Sequence, residues 1–454
     1  MREILPKNLI LLANTCPRPL YVIGGSVRDY LARLTPSISD WDICSPMTTE
    51  TFTQVAQNCN FTVKAVYKRT GTVKLCDNDG VDYEYSCFRS DKYVCGTHVP
   101  VEIFFTEDIT LDAKRRDFTA NAVYYDIQKN TFEDPLGGID AIHEKRLTTV
   151  AAANKVFGED GLRLMRLARQ AAQLGFTPDK ECFDAAKQNA ALITDISSER
   201  VFTELQYILT ADKKYGNTDG PYQGLQLLSA TGVLDKILPE LTLGRNLAQR
   251  ADFHRYDVLE HSLRAVRYAD ESIRLAALLH DVGKPFCHFR DGNSYAHPQE
   301  GARLTKEILE RLKAPKRTIE RVCELVEWHM YDLDCKTSEN KLRRFLVSHT
   351  ELLDELLLLK QADYSACADD LSLAPTCERW EALLAKMRAE HVPFSLKELR
   401  VSGADILQSG IPPHHVSIIL QRLLLHTALS PQDNEKSRLL RVAQGIEKDL
   451  TSSK

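Results

Sequence analysis

The hydrophobic pattern of this chain changes period once, near Ala151, and that change constrains the fold class. Before it, short β-branched and aromatic stretches occur at Leu20–Ile23, Thr72–Leu75, Tyr83–Cys87, Val101–Phe105 and Ala122–Tyr125. Gly, Asp and Asn clusters separate them, as strands and turns require. After it, apolar residues at Leu162, Leu164, Met165, Leu167, Ala168 and Ala171 recur with a helical period. Helices dominate from there, with stops at Pro178, Pro221, Pro239, Pro285, Pro298, Pro315 and Pro375. The pattern predicts an α+β chain, a mixed sheet with helices over residues 1–150 and an all-α remainder. At 454 residues there is room for roughly three domains. Breaks are expected near Gly244–Arg250 and Ser372–Pro375, which divides the remainder into 151–245, 246–372 and 373–454.

Composition excludes several classes. Apolar residues make up 43% and charged residues 27%, a balance that argues against disorder. No run approaches the ~20 apolar residues that span a bilayer, so no membrane role is expected. The N-terminal MREILPKNLILLANTC is read as a mature helix, since it lacks a signal peptide's charged start and small-residue cleavage site. Twelve cysteines without a CxxC pair fit a reducing, cytoplasmic setting and argue against a disulfide scaffold. A net charge of −5 rules out a globally basic nucleic-acid coat but not a local basic patch.

The segment YVIGGSVRDYLA places Gly24 and Gly25 between an apolar strand and a helix. Glycines there permit a tight turn and close backbone approach to a phosphate, with Arg28 in reach of a phosphate oxygen. A plain strand–helix turn has the same look. A dozen residues later comes SDWDIC. On a strand, Asp40 and Asp42 would share a face. Two adjacent carboxylates repel unless a cation lies between them, and such oxygen ligands suit Mg²⁺. Two ions ~3.5–4 Å apart can activate a hydroxyl and neutralise a pyrophosphate leaving group.

GGSVRD followed by DWD resembles the signature of the class II nucleotidyltransferases, the branch of the CCA-adding tRNA nucleotidyltransferases and bacterial poly(A) polymerases. RRDFTANAVYYD resembles its second motif, EDGLRLMR its amino-acid template and SERVFTEL its helical fifth motif, in order from Tyr21 to Leu205. Cys44 stands where a β-branched residue or alanine is usual, and YLARLTP lacks the expected glycine; neither removes a chemical group. The resemblance implies a nucleotidyltransferase head followed by all-α neck, HD and tail domains. Asp40 and Asp42 would be catalytic and hold Mg²⁺. Gly24, Gly25, Ser26 and Arg28 would embrace the triphosphate. Arg115, Arg116, Asp117 and Asn121 would position sugar and phosphates, and Asp160, Arg163 and Arg166 would contact the nucleotide. Glu84, in YEYSCFR, is the favoured third carboxylate; an ordinary exposed strand glutamate is the alternative.

EDGLRLMR is read as helical, with Asp160 and Arg163 three apart on one face. A carboxylate acceptor beside a guanidinium fork can pair with the Watson–Crick edge of cytosine or adenine, the role the resemblance implies. The spacing equally permits an intrahelical ion pair worth ~0.3–0.5 kcal/mol. The turn-rich FRSDKYVCGTHVP, residues 88–100, resembles the flexible loop of enzymes that add all of CCA.

Further on, HRYDVLEHSLRAV, LLHDVGK, SYAHPQEG, VEWHM and KQADYSAC follow one another and hold many of the thirteen histidines. His261, His280, Asp281 and Asp363 resemble the metal-ligating set of HD phosphohydrolases, with His297 and His329 available for a second metal. Imidazole and carboxylate ligands suit Mn²⁺, Fe, Ni²⁺ or Zn²⁺, and a metal-bound water would attack a phosphate ester. His254, seven residues before His261 and therefore on nearly the same helix face, is expected to contact the ligands or the substrate. Such a domain either hydrolyses or serves as an RNA-holding body.

The stretch SLKELRVSGADILQSGIPPHHV resembles a tRNA-supporting tail, although GIPPHHV reads more simply as an ordinary helix start. Basic residues from Arg303 to Arg321 are interleaved with glutamates and read as a solvated helical face. The expected function is CCA addition to the tRNA 3′ end from CTP and ATP, releasing pyrophosphate. The alternatives are a poly(A) polymerase, a CC- or A-only enzyme, a chain whose principal activity is HD phosphohydrolysis, or a non-catalytic RNA-binding protein.

Overall fold

A computed structural model of the chain describes residues 1–34, 40–93, 100–250, 252 and 254–452, with Asp40 described by its backbone alone. The chain divides into two compact units, Met1–Thr242 with Ile308–Ala314, and Leu243–Glu307 with Pro315–Lys454.

The first unit carries strands β1 (Tyr21–Val22), β2 (Asp40–Ser45), β3 (Thr62–Tyr67), β4 (Thr72–Cys76), β5 (Asp82–Cys87), β6 (Arg89–Lys92), β7 (Glu102–Phe105), β8 (Tyr124–Asp126) and β9 (Thr131–Glu133). Seven of them form a mixed sheet in the order β3-β4-β5-β2-β1-β8-β9. Only β2 and β5 pair in parallel within it, with Trp41 opposite Tyr83, Asp42 opposite Glu84 and Ile43 opposite Tyr85. The period of two sorts these residues. Trp41, Ile43, Tyr83 and Tyr85 are buried on one face, where Phe52 stacks on Tyr85 with ring centroids 3.6 Å apart. Asp42 and Glu84 take the other face and are exposed. Two residues along that face, Cys44 is fully buried in a cluster with Tyr21, Phe88 and Tyr124. Cys44 thus acts as a small apolar residue, and burial pushes its thiol far up. The sheet face is sealed at one end and open at Asp42.

The segment 88–100 is not all loop, because β6 and β7 pair antiparallel from Arg89↔Phe105 to Lys92↔Glu102. Polar residues in β6 hid this strand from a hydrophobic count. Residues 94–99, the middle of the expected flexible loop, lie outside the described residues. Beyond the sheet come the helices Ala153–Glu159, Leu162–Leu174 and Ser198–Leu209.

The second unit is helical. Val258–Tyr268 is capped by Asp257, whose side chain accepts the Glu260 N–H at 2.7 Å. Arg274–Leu279 is buried along its whole length, which suits a helix enclosed by others. The helix His297–Arg311, whose residues from Ile308 on belong to the first unit, and the helices Lys316–Trp328 and Leu353–Ala368 follow. Near the C-terminus, Gly403–Gln408, Val416–Thr427 and Lys436–Ser452 close over Leu399, Ile406, Ile419, Leu423 and Leu439. A capping box of Ser402 and Asp405 starts the first of these three. Among the described residues, no helix is long and apolar enough to cross a membrane.

Candidate active site

In the first unit, the chain leaves β1 through Gly24 at φ 77° and enters the helix Gly25–Leu31. The Ile23 N–H donates to the Asp42 carbonyl at 3.0 Å, which ties this turn to β2. A Cβ at Gly24 would lie 3.1 Å from Asp42 Oδ2. The positive φ requires glycine there, and a Cβ would crowd the carboxylate above it. Asp40 opens the same strand, and its side chain lies outside the described residues. Glu84 stands beside Asp42 in register, but Lys74 on β4 holds it at 3.4 Å.

Ser26 and Arg28 are buried. Arg28 donates to Asp29 Oδ1 from Nε (2.9 Å) and NH2 (2.6 Å), to Asn121 Oδ1 (2.8 Å) and to the Tyr215 hydroxyl (2.8 Å). Asn121 in turn donates to Asp117 Oδ1 at 3.1 Å, and Arg166 pairs with Asp117 Oδ2 at 2.7 Å. Burial alone would raise the Asp117 carboxyl, but Arg166, the Asn121 amide and the Phe118 N–H hold it below the ordinary value.

Arg115 and Arg116 are spoken for. Asp112, fully buried, accepts from Arg115 Nε at 2.7 Å, Arg116 at 3.0 Å, the Tyr124 hydroxyl at 2.7 Å and the Arg89 N–H at 3.2 Å. The charge works against burial, and the two arginines hold the carboxyl at about 2 against an ordinary 3.8. Asp112→Asn is expected to cost about 3–5 kcal/mol in urea unfolding, because it leaves two buried guanidinium groups undercompensated. Asp112 titrates lower when folded, so its contribution is complete above the unfolded value and disappears as pH falls from about 4 toward 2. An acid titration of stability, flat in that window for the variant relative to the parent, checks the assignment.

The template segment departs from the helical reading. Glu159 ends one helix and Leu162 begins the next; Asp160 between them is extended at φ −146°, ψ 106°. Asp160 and Arg163 are therefore not successive residues of one helix face. The Asp160 carboxylate accepts the Leu162 N–H at 3.0 Å, a local turn that a helix would forbid. Beside the break, Gly161 is required by a close approach, since a Cβ there would lie 2.5 Å from the Leu192 carbonyl oxygen. Arg163 is buried and donates to the carbonyls of Val156 and Arg115, each at 2.9 Å, and to Glu159 at 3.1 Å. The Tyr93 ring lies 5.6 Å from its guanidinium carbon. Asp112 and Tyr215 belong to no expected site, and Tyr93 was expected only as part of the 88–100 loop. Asp112 carried a signal, three and four residues before Arg115 and Arg116; Tyr215, 186 residues after Asp29, carried none.

The second unit brings all six predicted ligands together. His280, His297 and His329 each donate Nδ1–H to a backbone carbonyl three residues earlier, at 2.8, 2.6 and 2.6 Å. A carbonyl only accepts, so these Nε2 atoms are left as lone pairs directed inward. His261 Nε2 lies 3.1 Å from His280 Nε2 and 3.0 Å from Asp363 Oδ1. His297 Nε2 lies 3.2 Å from His329 Nε2. Asp281 joins the two groups. Its Oδ2 is 3.3 Å from His280, and its Oδ1 is 3.3 Å from His297. Lone pairs this close need a cation or a proton between them, so the donor set fits divalent metal in two adjacent positions with Asp281 shared. Lys284 contacts Asp281 Oδ2 at 2.6 Å. His254 and Cys367 flank His261.

The basic run from Arg303 to Arg321 is ion-paired. Arg303, Arg311, Lys313, Lys316 and Arg321 meet Glu307, Glu240, Glu199, Glu320 and Glu355 in turn, as a solvated face would.

Residues 20–148 match the family model described as the poly A polymerase head domain. Residues 175–243 match the probable RNA and SrmB-binding site of polymerase A, and residues 253–367 match the HD domain. The chain is 36% identical over 355 residues to the A-adding tRNA nucleotidyltransferase of Deinococcus radiodurans, covering 74% of this chain and 75% of that relative. It is 35% identical over 238 residues to the CCA-adding enzyme of Geobacillus kaustophilus, covering 52% of this chain and 54% of that relative. The solved CCA-adding enzyme of Bacillus stearothermophilus in complex with CTP aligns with a TM-score of 0.67 at 22% identity, over 99% of this chain and 100% of that one, and so shares its fold.

Proposed function

The chain belongs to the tRNA nucleotidyltransferase family, whose head and HD domains are metal-dependent, and on that premise we propose that it rebuilds the tRNA 3′ end by adding C, C and A from CTP and ATP, releasing pyrophosphate. The observation that carries this reading is the Asp42 carboxylate seated over the Gly24 turn at the open part of the sheet face. With Asp40 it would hold Mg²⁺, which supplies charge neutralisation at the reacting phosphates. Gly24, Gly25 and Ser26 line the triphosphate, and Arg28 braces that turn. Asp117, Asn121 and Arg166 form the wall against ribose and phosphate. Asp160 and Arg163 read the base from the break ahead of the helix Leu162–Leu174, with Arg163 fixed by backbone carbonyls rather than by Asp160. Arg115 and Arg116 act through Asp112. Catalysis of this kind is positioning plus electrostatics. The cytoplasm is the expected compartment, and head, neck, HD domain and tail are taken as 1–150, 151–245, 246–372 and 373–454.

Incorporation of labelled CTP and ATP into tRNA lacking its 3′ CCA tests the reading. Two C and one A are expected. A second reading, A addition alone, is favoured by the A-adding relative that matches three quarters of this chain. It predicts no extension by CTP and one A on tRNA already ending in CC. Long A tracts from ATP alone would make the chain a poly(A) polymerase. The convergent Nε2 atoms support a second, HD-type phosphohydrolase activity on phosphate esters.

A further inference from the structure

Tyr215 ends the short helix Asp212–Tyr215, just before Gly216 at φ 73°. Its hydroxyl lies 2.8 Å from Arg28 NH2 and 2.8 Å from Asp29 Oδ2. The roles are forced. A guanidinium only donates and an ionised carboxylate only accepts, so the hydroxyl accepts from Arg28 and donates to Asp29. Burial pushes the phenol up, which keeps the donated proton in place.

Arg28 has five N–H donors. Nε serves Asp29, NH2 serves Asp29 and Tyr215, and NH1 serves Asn121, so four are engaged and a single NH1–H remains. Arg28 therefore cannot clasp a phosphate with a two-pronged fork. It is a brace, packed directly against the Gly25 backbone, where a Cβ would lie in van der Waals contact with NH2 at 3.4 Å. From the brace an unbroken run continues through Asn121 and Asp117 to Arg166 on the helix Leu162–Leu174.

We propose that Tyr215 is a positioning residue for nucleotidyl transfer. It locks the Arg28–Asp29 pair, and so holds the Gly24–Gly25 turn beneath Asp42 in register with the helix that carries Arg163. Triphosphate and base are then gripped at a fixed separation. A nucleotide whose base pairs poorly cannot bring its α-phosphate to the carboxylates, so discrimination depends on the lock. The inference rests on the transferase reading above.

The test uses the full-length protein. Tyr215→Phe removes one oxygen. It is expected to lower kcat/KM for the correct nucleotide about tenfold, and to lower the preference for that nucleotide over UTP by a similar factor. Paired with Asn121→Ala, it should lose less than the product of the two single effects, because both act through Arg28. A side chain that merely packs would lower the melting temperature and leave the preference over UTP unchanged. That outcome, or strictly multiplicative losses in the double variant, overturns the proposal. Asp29→Asn keeps the shape but removes the charge that the hydroxyl serves, and it supplies the same readings if Tyr215→Phe does not fold. A parent protein that adds no nucleotide would defeat the transferase reading itself, whereas a parent that extends tRNA beside an unchanged Tyr215→Phe defeats only the lock.

Discussion

Asp42→Ala is expected to lower tRNA extension by about a thousandfold, and to leave thermal unfolding within a degree or two of the parent. The two halves of this expectation come from one feature. Asp42 is exposed on the open sheet face, so truncating it opens no cavity. Its neighbours Trp41 and Ile43, which face the other way, carry the packing. On the proposed reading the carboxylate serves the chemistry, above a glycine turn at positive φ. Steady-state incorporation of labelled nucleotide, with a melting curve on the same preparation, checks both halves. Retention of more than a tenth of the parent rate would remove Asp42 from the catalytic set. Glu84→Gln sharpens the result. Glu84 is in register with Asp42 but already engaged by Lys74. An exposed pair of that kind contributes little to stability. A loss of activity approaching that of Asp42→Ala would make Glu84 the third carboxylate, and a near-parental rate would leave it as the partner of Lys74.

β4, β5 and β8 were legible from their β-branched and aromatic residues, whereas β3, Thr62–Tyr67, was missed although it carries the same residue types. Tyr83 and Tyr85 are the clearest case, buried against Phe52 while Glu84 between them faces out. β6, with the sequence RSDK, was not legible, because its pairing with β7 rests on backbone hydrogen bonds and buries little apolar surface. The break at Asp160 escaped for the opposite reason. The apolar period from Leu162 to Leu174 is helical, and the EDGL run ahead of it reads as its continuation, yet the chain leaves the helix at Asp160, beside the close approach of Gly161 to the Leu192 carbonyl. Tertiary contact there overrides local pattern. The six residues of the HD cluster were named from the resemblance of their segments, and the fold brings them together. The place of Asp281 between the two groups of rings was not legible, because it depends on which oxygen faces which ring. Arg28 was legible as a residue of the turn, but its role as a brace depends on Tyr215 and Asn121, distant in sequence.

Removing metal from the HD cluster is the second large effect. Exhaustive chelation is expected to lower the melting temperature by several degrees, since a cation bound only by the folded state contributes roughly 2.7 kcal/mol at a hundred times its dissociation constant. It should also change the shape of the pH–stability curve. Without a cation the facing lone pairs must share protons. Burial opposes charge on His280, but Asp281 and Asp363 outweigh it and raise the ring to about 10. That contribution is complete below the unfolded value of 6.5 and is lost as pH rises toward 10. Burial pulls His329 and His254 down to about 4, so their contribution is complete above 6.5 and is lost as pH falls toward 4. The chelated protein should therefore be most stable near the unfolded histidine value and weaken on both sides. The metal-loaded protein should weaken mainly on the acid side, where protons compete for the ligands. Asp281→Ala removes the shared carboxylate and should reduce bound divalent metal, measured by elemental analysis, to background at both positions. Loss at one position alone would mean that each group of ligands closes without Asp281.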